Sequence, residues 1–369
     1  MQRVLVLGGG MVGRVIARTL ADDFEVTVFD SSSCALAQLK NIPHVIPLLG
    51  DFQNRYIQKV VQKFDFVVGA MPGKIAYTVL KKIILAGKPI VDISFFEEDA
   101  YGLQARARKH HTPLIVDFGI APGLSNLMLG RAVTHMRVDS FICYCGGLPR
   151  HETSPWFYKA PFEVASAMDI CTRPARMKIE DAIITKPAMS DYEIVYFDGI
   201  GGLEAFATDG LRTLLSFPVP TMIEKTLRHI GFRRIVRPFV ESGFFSEDPL
   251  VVDGVLISPF EVSRRLLQKA WTLSSDEEEF TAMRLLIKGS GGTFRYDLID
   301  SGDKERGITS MARLAGYPAA AAVHLFAQGT IAKGGISTPE EIGLQDTAAN
   351  FVLNFLEARG IKFTCTFTA

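Results

Sequence analysis

The stretch that most limits what this chain can become runs from Arg3 to Leu20, RVLVLGGGMVGRVIARTL. Val4 to Leu7 is a short β-rich apolar run, the pattern of a strand covered on both faces. Gly8, Gly10 and Gly13 follow at G-x-G-x-x-G spacing, and Val12, Ile16 and Leu20 then recur at helical spacing. A strand, a glycine turn and a helix in that order open a dinucleotide-binding unit. Gly8 permits the tight turn. Gly10 admits a pyrophosphate to the backbone at a helix N-terminus, and Gly13 lets the helix pack close to the strand.

A second strand, FEVTVFD, ends on Asp30, about 20 residues beyond Gly10, where an acid accepts hydrogen bonds from an adenosine ribose diol. The same acid repels a 2′-phosphate, and Ser31, Ser32 and Ser33 bring no arginine to hold one. NAD is therefore expected over NADP. The alternative role for Asp30 is a helix cap before SSCALAQL. Strand-like runs recur at HVIPLL, FDFVVGAMP, PIVDISFF and PLIVDFG, with helical patterns at 53–64, 74–86 and 98–110. Such alternation implies a doubly wound parallel sheet, with ligand at the carboxyl ends of its strands. The expected cofactor contacts are Gly8, Gly10, Met11, Val12, Gly13, Asp30, Ser31, Asp51, Ala70, Met71, Pro72, Asp92, Ser94, Phe118, Gly119 and Gly123.

Beyond residue 130 the pattern changes to short alternating runs typical of antiparallel strands. Helices are expected at 220–228 and 258–271, and a hairpin at FTAMRLLIKGSGGTFRYDLIDS. From Thr309 the chain turns helical, and a last helix is expected over 339–359. The sequence thus reads as α/β: a discontinuous Rossmann domain, 1–125 with about 310–369, and an α+β domain of mostly antiparallel sheet, about 126–309.

Composition narrows the class. Lys+Arg and Asp+Glu both number 40, so formal net charge is zero, which argues against nucleic-acid or polybasic membrane binding. The longest apolar stretch, Ala319 to Ala332, is broken by His324 and Gln328 and is too short for a bilayer. Five cysteines without framework spacing fit a reduced, cytoplasmic protein. Cys143 and Cys145 share a strand face, but no second Cys/His pair accompanies them and no metal is expected. Residues 1–20 hold Arg3, Arg14 and Arg18 and start on a fold element, so no signal peptide is expected.

The stretches GGGMVGRVIA, VVGAMPG, VDISFFEED, VDFGIAPGLSNLMLGR, CGGLPR, YKAPF, TRPAR, EAFATDGLRTLL, EKTLRHIGF and SMARLAGYPAAAA together resemble the saccharopine dehydrogenase-like oxidoreductases. GGLP, TRPAR and TDGLRTL resemble its L-lysine 6-dehydrogenase branch; Phe232 and the segment 245–260 depart from the pattern. The resemblance implies NAD-dependent oxidative deamination of the lysine ε-amine, with ammonia released and a semialdehyde that cyclises to a piperideine carboxylate. It also implies a homodimer. The rival implications are a condensing reductase of the saccharopine or carboxynorspermidine dehydrogenase type and a nonenzymatic NAD-binding regulator.

That chemistry needs a base for the amine and a cation for the α-carboxylate. Asp117 ends the last strand and is expected to orient or deprotonate the amine, or else to cap its Gly/Pro turn. Gly119 and Gly123 would bring backbone close to the nicotinamide carboxamide. Asp209 and Arg212 fall on one face if a helix begins at Thr208 or Asp209, unless Asp209 is only its N-cap; Arg212 then forks onto the carboxylate, with Arg173 as competing anchor and Arg176 and Arg228 as further arginines. Tyr158 and Lys159 are placed in a pocket-lining loop, Lys159 as a proton carrier if burial lowers its pKa and as a solvated lysine otherwise. Glu204 is either an ammonium acceptor or a structural partner. His110 and His111 end a helix, and His324 reads as a satisfied buried histidine.

Overall fold

The computed structural model describes residues 1–369 except 41, 153, 154, 162, 275, 276 and 332. Phe162 of the YKAPF stretch and Ala332 of the apolar stretch thus lie outside the described residues.

In chain order the elements are β1 Arg3–Leu7, α1 Met11–Leu20, β2 Glu25–Asp30, α2 Ser33–Ala37, β3 Val45–Leu49, α3 Ile57–Val61, β4 Phe66–Gly69, α4 Gly73–Ile83, β5 Ile90–Asp92, α5 Gln104–Lys109, β6 Pro113–Ile115 and α6 Leu124–His135. There follow β7 Val138–Pro149, α7 Val164–Thr172, β8 Ala175–Ile179, β9 Ala182–Lys186, β10 Glu193–Phe197, β11 Gly201–Ala207, β12 Thr221–Arg228, α8 Phe232–Glu241, β13 Leu250–Val252, β14 Val255–Ile257, α9 Pro259–Trp271, β15 Glu279–Gly289 and β16 Gly292–Ser301. The chain closes with α10 Ser310–Ala327, β17 Gly335–Ser337, α11 Pro339–Gly343, α12 Asp346–Glu357 and β18 Thr364–Thr368. Two units result: residues 1–136 with 312–362, and residues 137–311 with 363–369.

The first unit is a seven-stranded sheet of order β17-β6-β5-β4-β1-β2-β3, parallel throughout. Its inner strands are short apolar runs because both faces are covered, and Val4, Leu5, Val6 and Leu7 are all fully buried, whereas the edge strand β3 is exposed. The order reverses between β1 and β4, which is where a doubly wound sheet opens a crevice at its carboxyl end.

The second unit holds a nine-stranded mixed sheet of order β10-β11-β12-β7-β15-β16-β18, with β8 on β12 and β9 on β8. Its β12–β7 pair is parallel and its other pairs are antiparallel. Alternation gives its two faces different chemistry. One carries Tyr144, Leu148, Leu203, Ala205, Leu227, Phe280 and Ala282 in an apolar cluster. The register puts Glu204, Phe206, Glu224, Thr226, Arg228, Cys143 and Cys145 on the other.

Several expectations are corrected. Residues 220–228 form β12, not a helix. Met222/Thr226 and Glu224/Arg228 mimic helical spacing, but β-branched Thr221, Ile223 and Thr226 and pairing on both edges decide for strand. The hairpin of β13 and β14, with α7 and α8, was not anticipated. The last helix is two, because Gly343 ends α11; a Cβ there would stand 2.3 Å from Leu127 O of α6. Residues 363–369 belong to the second unit, where β18 pairs with β16. Helix α6 stays with the first.

Candidate functional site

The cofactor side belongs to the first unit. Gly8 has φ +112°, and a Cβ on it would stand 2.2 Å from Ala70 O, so the turns after β1 and β4 lie against each other. A Cβ on Gly13 would stand 1.9 Å from Gly8 O, which is the close approach of helix and turn that the spacing implied. Gly10 differs: its φ is −67°, and a Cβ would meet nothing within 4 Å. The chain itself does not need glycine there. The open space faces the N-terminus of the ten-residue α1, and this fits a pyrophosphate bound to backbone N–H groups of Gly10, Met11 and Val12.

Asp30 ends β2 and sits directly beside this turn. Its Oδ2 accepts the Gly9 N–H at 2.6 Å and its Oδ1 accepts the Ser32 N–H at 2.7 Å. The cap of α2 is Ser32, whose Oγ accepts from the Ala35 N–H, so Asp30 is not the helix cap. Asp51 is exposed and closes its own turn by accepting the Gln53 N–H at 2.8 Å. Asp92 and Ser94 turn inward. Ser94 Oγ donates to Asp92 Oδ1 at 3.0 Å and accepts the Met71 N–H at 3.2 Å, so this buried pair fixes the loop Ala70–Pro72 from behind. Their side chains hold that loop in place.

Asp117 follows β6 with φ +58° and is only 2% exposed. Phe118 beside it is buried, and its N–H reaches Asp92 O at 3.3 Å. Gly123 is needed by the loop's own closure: a Cβ on it, at φ +134°, would stand 2.1 Å from Gly119 O. Loop closure is thus a reason for Gly123 that the sequence did not suggest. Asn126 then ties the start of α6 down, accepting the Gly123 N–H and donating to Glu340 Oε2 at 3.1 Å.

The candidate substrate side lies in the second unit. No helix starts at Thr208 or Asp209; a 3₁₀ turn spans Arg212–Ser216. Asp209 faces Arg176 and accepts from its Nε and Nη2, both at 2.8 Å, so the expected Asp209–Arg212 face does not form. Arg212 has φ +46° and is 9% exposed. Among the described residues, Asp117, Met189 and Arg212 are the buried non-glycine residues at positive φ. Such strain persists where surrounding structure enforces it and concentrates at functional sites.

Other candidates are withdrawn by what they touch. Tyr158 is fully buried beside Phe232 and Trp271, and burial pushes its hydroxyl up to about 12. It is core, since an apolar shell in this loop outweighs one hydroxyl. Arg228, 1% exposed, stands 4.4 Å over the Tyr158 ring and 5.5 Å over Phe232; this enclosure leaves its Nε and Nη2 facing rings. Lys159 is ion-paired with Glu277 at 2.6 Å rather than solvated. Glu204 accepts from Gly231 N–H and Arg233 N–H, anchoring the first turn of α8. Arg173 is half-buried at the end of α7. His324 packs among Phe24, Phe351 and Phe355, and burial lowers its pKa. His110 and His111 end α5 near the surface. Glu224, missed by sequence reasoning because 220–228 reads as a helix, is buried in a polar cluster on β12.

A parallel sheet reversing at a glycine turn, joined to a mixed-sheet unit with a strained buried arginine, defines a two-unit dinucleotide-binding chain. The comparisons make the class specific. Residues 4–114 match the saccharopine dehydrogenase NADP binding domain and residues 119–361 the saccharopine dehydrogenase C-terminal domain, so the chain belongs to the saccharopine dehydrogenase family of oxidoreductases. It is 24% identical over 286 residues to an alpha-aminoadipic semialdehyde synthase of Arabidopsis thaliana, covering 66% of this chain and 27% of that protein. It is likewise 24% identical over 294 residues to a saccharopine dehydrogenase [NADP(+), L-glutamate-forming] of Pyricularia oryzae, covering 74% of this chain and 64% of that protein. The chain thus spans less than two thirds of the length of these curated relatives. The fold matches apo saccharopine dehydrogenase (L-Glu forming) from Saccharomyces cerevisiae with TM-score 0.81 and 19% identity, covering 100% of both chains. Among the described residues no group of His, Cys, Asp and Glu is arranged to hold a metal, and no helix is long and apolar enough to cross a membrane.

Proposed function

We propose that this protein is a nicotinamide-dinucleotide-dependent oxidoreductase that breaks a C–N bond of a lysine-type amino acid, and that its reaction is oxidative deamination of the L-lysine ε-amine. The observation that carries the reading is Arg212: buried, held at φ +46°, and able to fork onto one α-carboxylate. Of the four arginines first considered, Arg176 is engaged by Asp209, which accepts from its Nε and Nη2. Lysine is favoured over saccharopine by the resemblance of GGLP, TRPAR and TDGLRTL to the lysine 6-dehydrogenase branch. Asp117 takes the role of orienting the amine and accepting its proton. The dinucleotide supplies the hydride acceptor. NAD is favoured over NADP because an acid at the end of β2, beside the glycine turn, would repel a 2′-phosphate.

The second reading is cleavage or formation of saccharopine with NADP. It is favoured by the names of the relatives, saccharopine dehydrogenases marked NADP(+). The deciding experiment is dinucleotide reduction at alkaline pH with L-lysine, and separately with saccharopine, with NAD and NADP in each case, while ammonia and glutamate are assayed. Lysine-dependent reduction with ammonia release is expected. Turnover of saccharopine with glutamate release, and none with lysine, would replace deamination by the second reading. Dinucleotide binding without turnover of either would leave a regulator. A homodimer and a cytoplasmic location belong to the same proposal.

A further inference from the structure

The loop Thr208–Arg212 is pinned from below by a carboxyl that the reaction scheme does not use. Glu224 is 7% exposed, at the middle of β12. Its Oε2 accepts from Thr208 Oγ1 at 2.5 Å, and Thr208 Oγ1 is also 2.8 Å from Thr226 Oγ1. The Thr208 N–H bonds to Glu224 O at 3.3 Å, and the Gly210 N–H bonds to the Glu224 carboxyl. Gly210 has an explanation in this contact: a Cβ there would stand 2.6 Å from Glu224 Cδ. One residue between them, Asp209, is tied sideways to Arg176. Successive residues of the loop are thus fastened on two sides, immediately before Arg212 enters its left-handed conformation. A non-glycine residue stays in that region only where neighbouring contacts over-determine it.

We propose that Glu224 is a positioning residue for Arg212: by gripping Thr208 and Gly210 it sets the pose in which Arg212 meets the substrate carboxylate. This rests on the reading of Arg212 as that anchor. The charged and titratable groups facing Glu224 are Asp209 on the loop, Arg228 on its own strand and Cys145 on β7, with Cys143 its register partner. Burial is the main cause that holds the carboxyl up to about 8, Asp209 pushing the same way and Thr208, Arg228 and Gly210 opposing. Ionisation turns the contacts to Thr208 and Gly210 into charge-assisted hydrogen bonds, so the grip strengthens above pH 8.

The test compares wild type, Glu224→Gln, Glu224→Leu and Gly210→Ala, with Arg212→Lys as reference. The substrates are L-lysine and saccharopine, each from pH 6.5 to 9.5. Hydrogen exchange of the Gly210 amide is followed in the same proteins. Expected are a KM for the amino acid raised about tenfold or more in Glu224→Leu and Gly210→Ala, with dinucleotide KM and kcat within about threefold, and faster Gly210 exchange. The KM ratio of Glu224→Gln to wild type should grow above pH 8. Unchanged KM and unchanged Gly210 exchange in folded Glu224→Gln and Gly210→Ala would overturn the inference, even if Glu224→Leu does not fold. If Arg212→Lys raises KM while these variants do not, Glu224 is not a positioning residue and the anchor stands. If Arg212→Lys leaves KM unchanged, the anchor assignment fails and the positioning role with it.

Discussion

Asp117 and Arg212 are each buried and each held in a backbone conformation that a side chain disfavours. For Asp117 the consequence is testable by an isosteric change. Asn preserves the left-handed preference of the position and its size but not the proton acceptor. Asp117→Asn is expected to lower kcat at least about 100-fold with little change in melting temperature; retained activity would leave Asp117 only its turn. Glu224 predicts a pH dependence of stability. Its folded pKa, about 8, lies above the 4.5 of an ordinary glutamate, so between those values the folded state binds the extra proton. Its contribution is therefore fully present below pH 4.5 and lost as pH rises to 8, at up to about 1.4 kcal/mol per pH unit. The melting temperature of Glu224→Gln relative to wild type should rise between pH 5 and pH 8.5. An unchanged gap would mean that the carboxyl is already ionised at pH 5.

Elements whose sequence period and neighbours agree were legible. The β1–α1 turn was readable from three glycines because each answers a separate steric demand, two of them visible as Cβ clashes and one as open space. Strand β12 was not, since polar Glu224, Thr226 and Arg228 lie on a buried sheet face, where alternation of hydrophobicity gives no signal. The same blindness hid Glu224 from the candidate site. Tyr158 misled in the opposite way: a hydroxyl in an aromatic loop resembles a pocket until its apolar neighbours are known. At the end of β2 the sequence reading made Asp30 a ribose ligand. Asp30→Ser is expected to shift the Kd ratio of NAD to NADP at least about tenfold toward NADP, measured by titration calorimetry. A constant ratio would confine Asp30 to its hydrogen bonds with Gly9 and Ser32.

At the scale of the whole chain, each unit takes in residues remote in sequence. The second sheet borrows its edge strand from residues 363–369, where β18 pairs Thr364 to Thr368 with Asp297 to Thr293 of β16. Removing 363–369 would leave the N–H and C=O groups of β16 as an open edge beside Phe294 and Tyr296. The truncated protein should melt earlier and aggregate faster by light scattering, with dinucleotide Kd within about threefold of wild type. Unaltered melting would show that β18 contributes nothing to the sheet.

The first sheet has the complementary dependence, on β17 and α11, which follow residues 137–311 of the second unit in the chain. Gly130 of α6 is shaped for a helix that does not yet exist when α6 is made: a Cβ there would stand 2.0 Å from Glu340 O. At ordinary synthesis speeds roughly 10 to 40 s separate α6 from α11 on the ribosome. Throughout that interval β6 has an unpaired edge and α6 an uncovered face. The nascent first unit is thus the state of this protein most in need of a chaperone, and it becomes whole only when nearly all of the chain has been made.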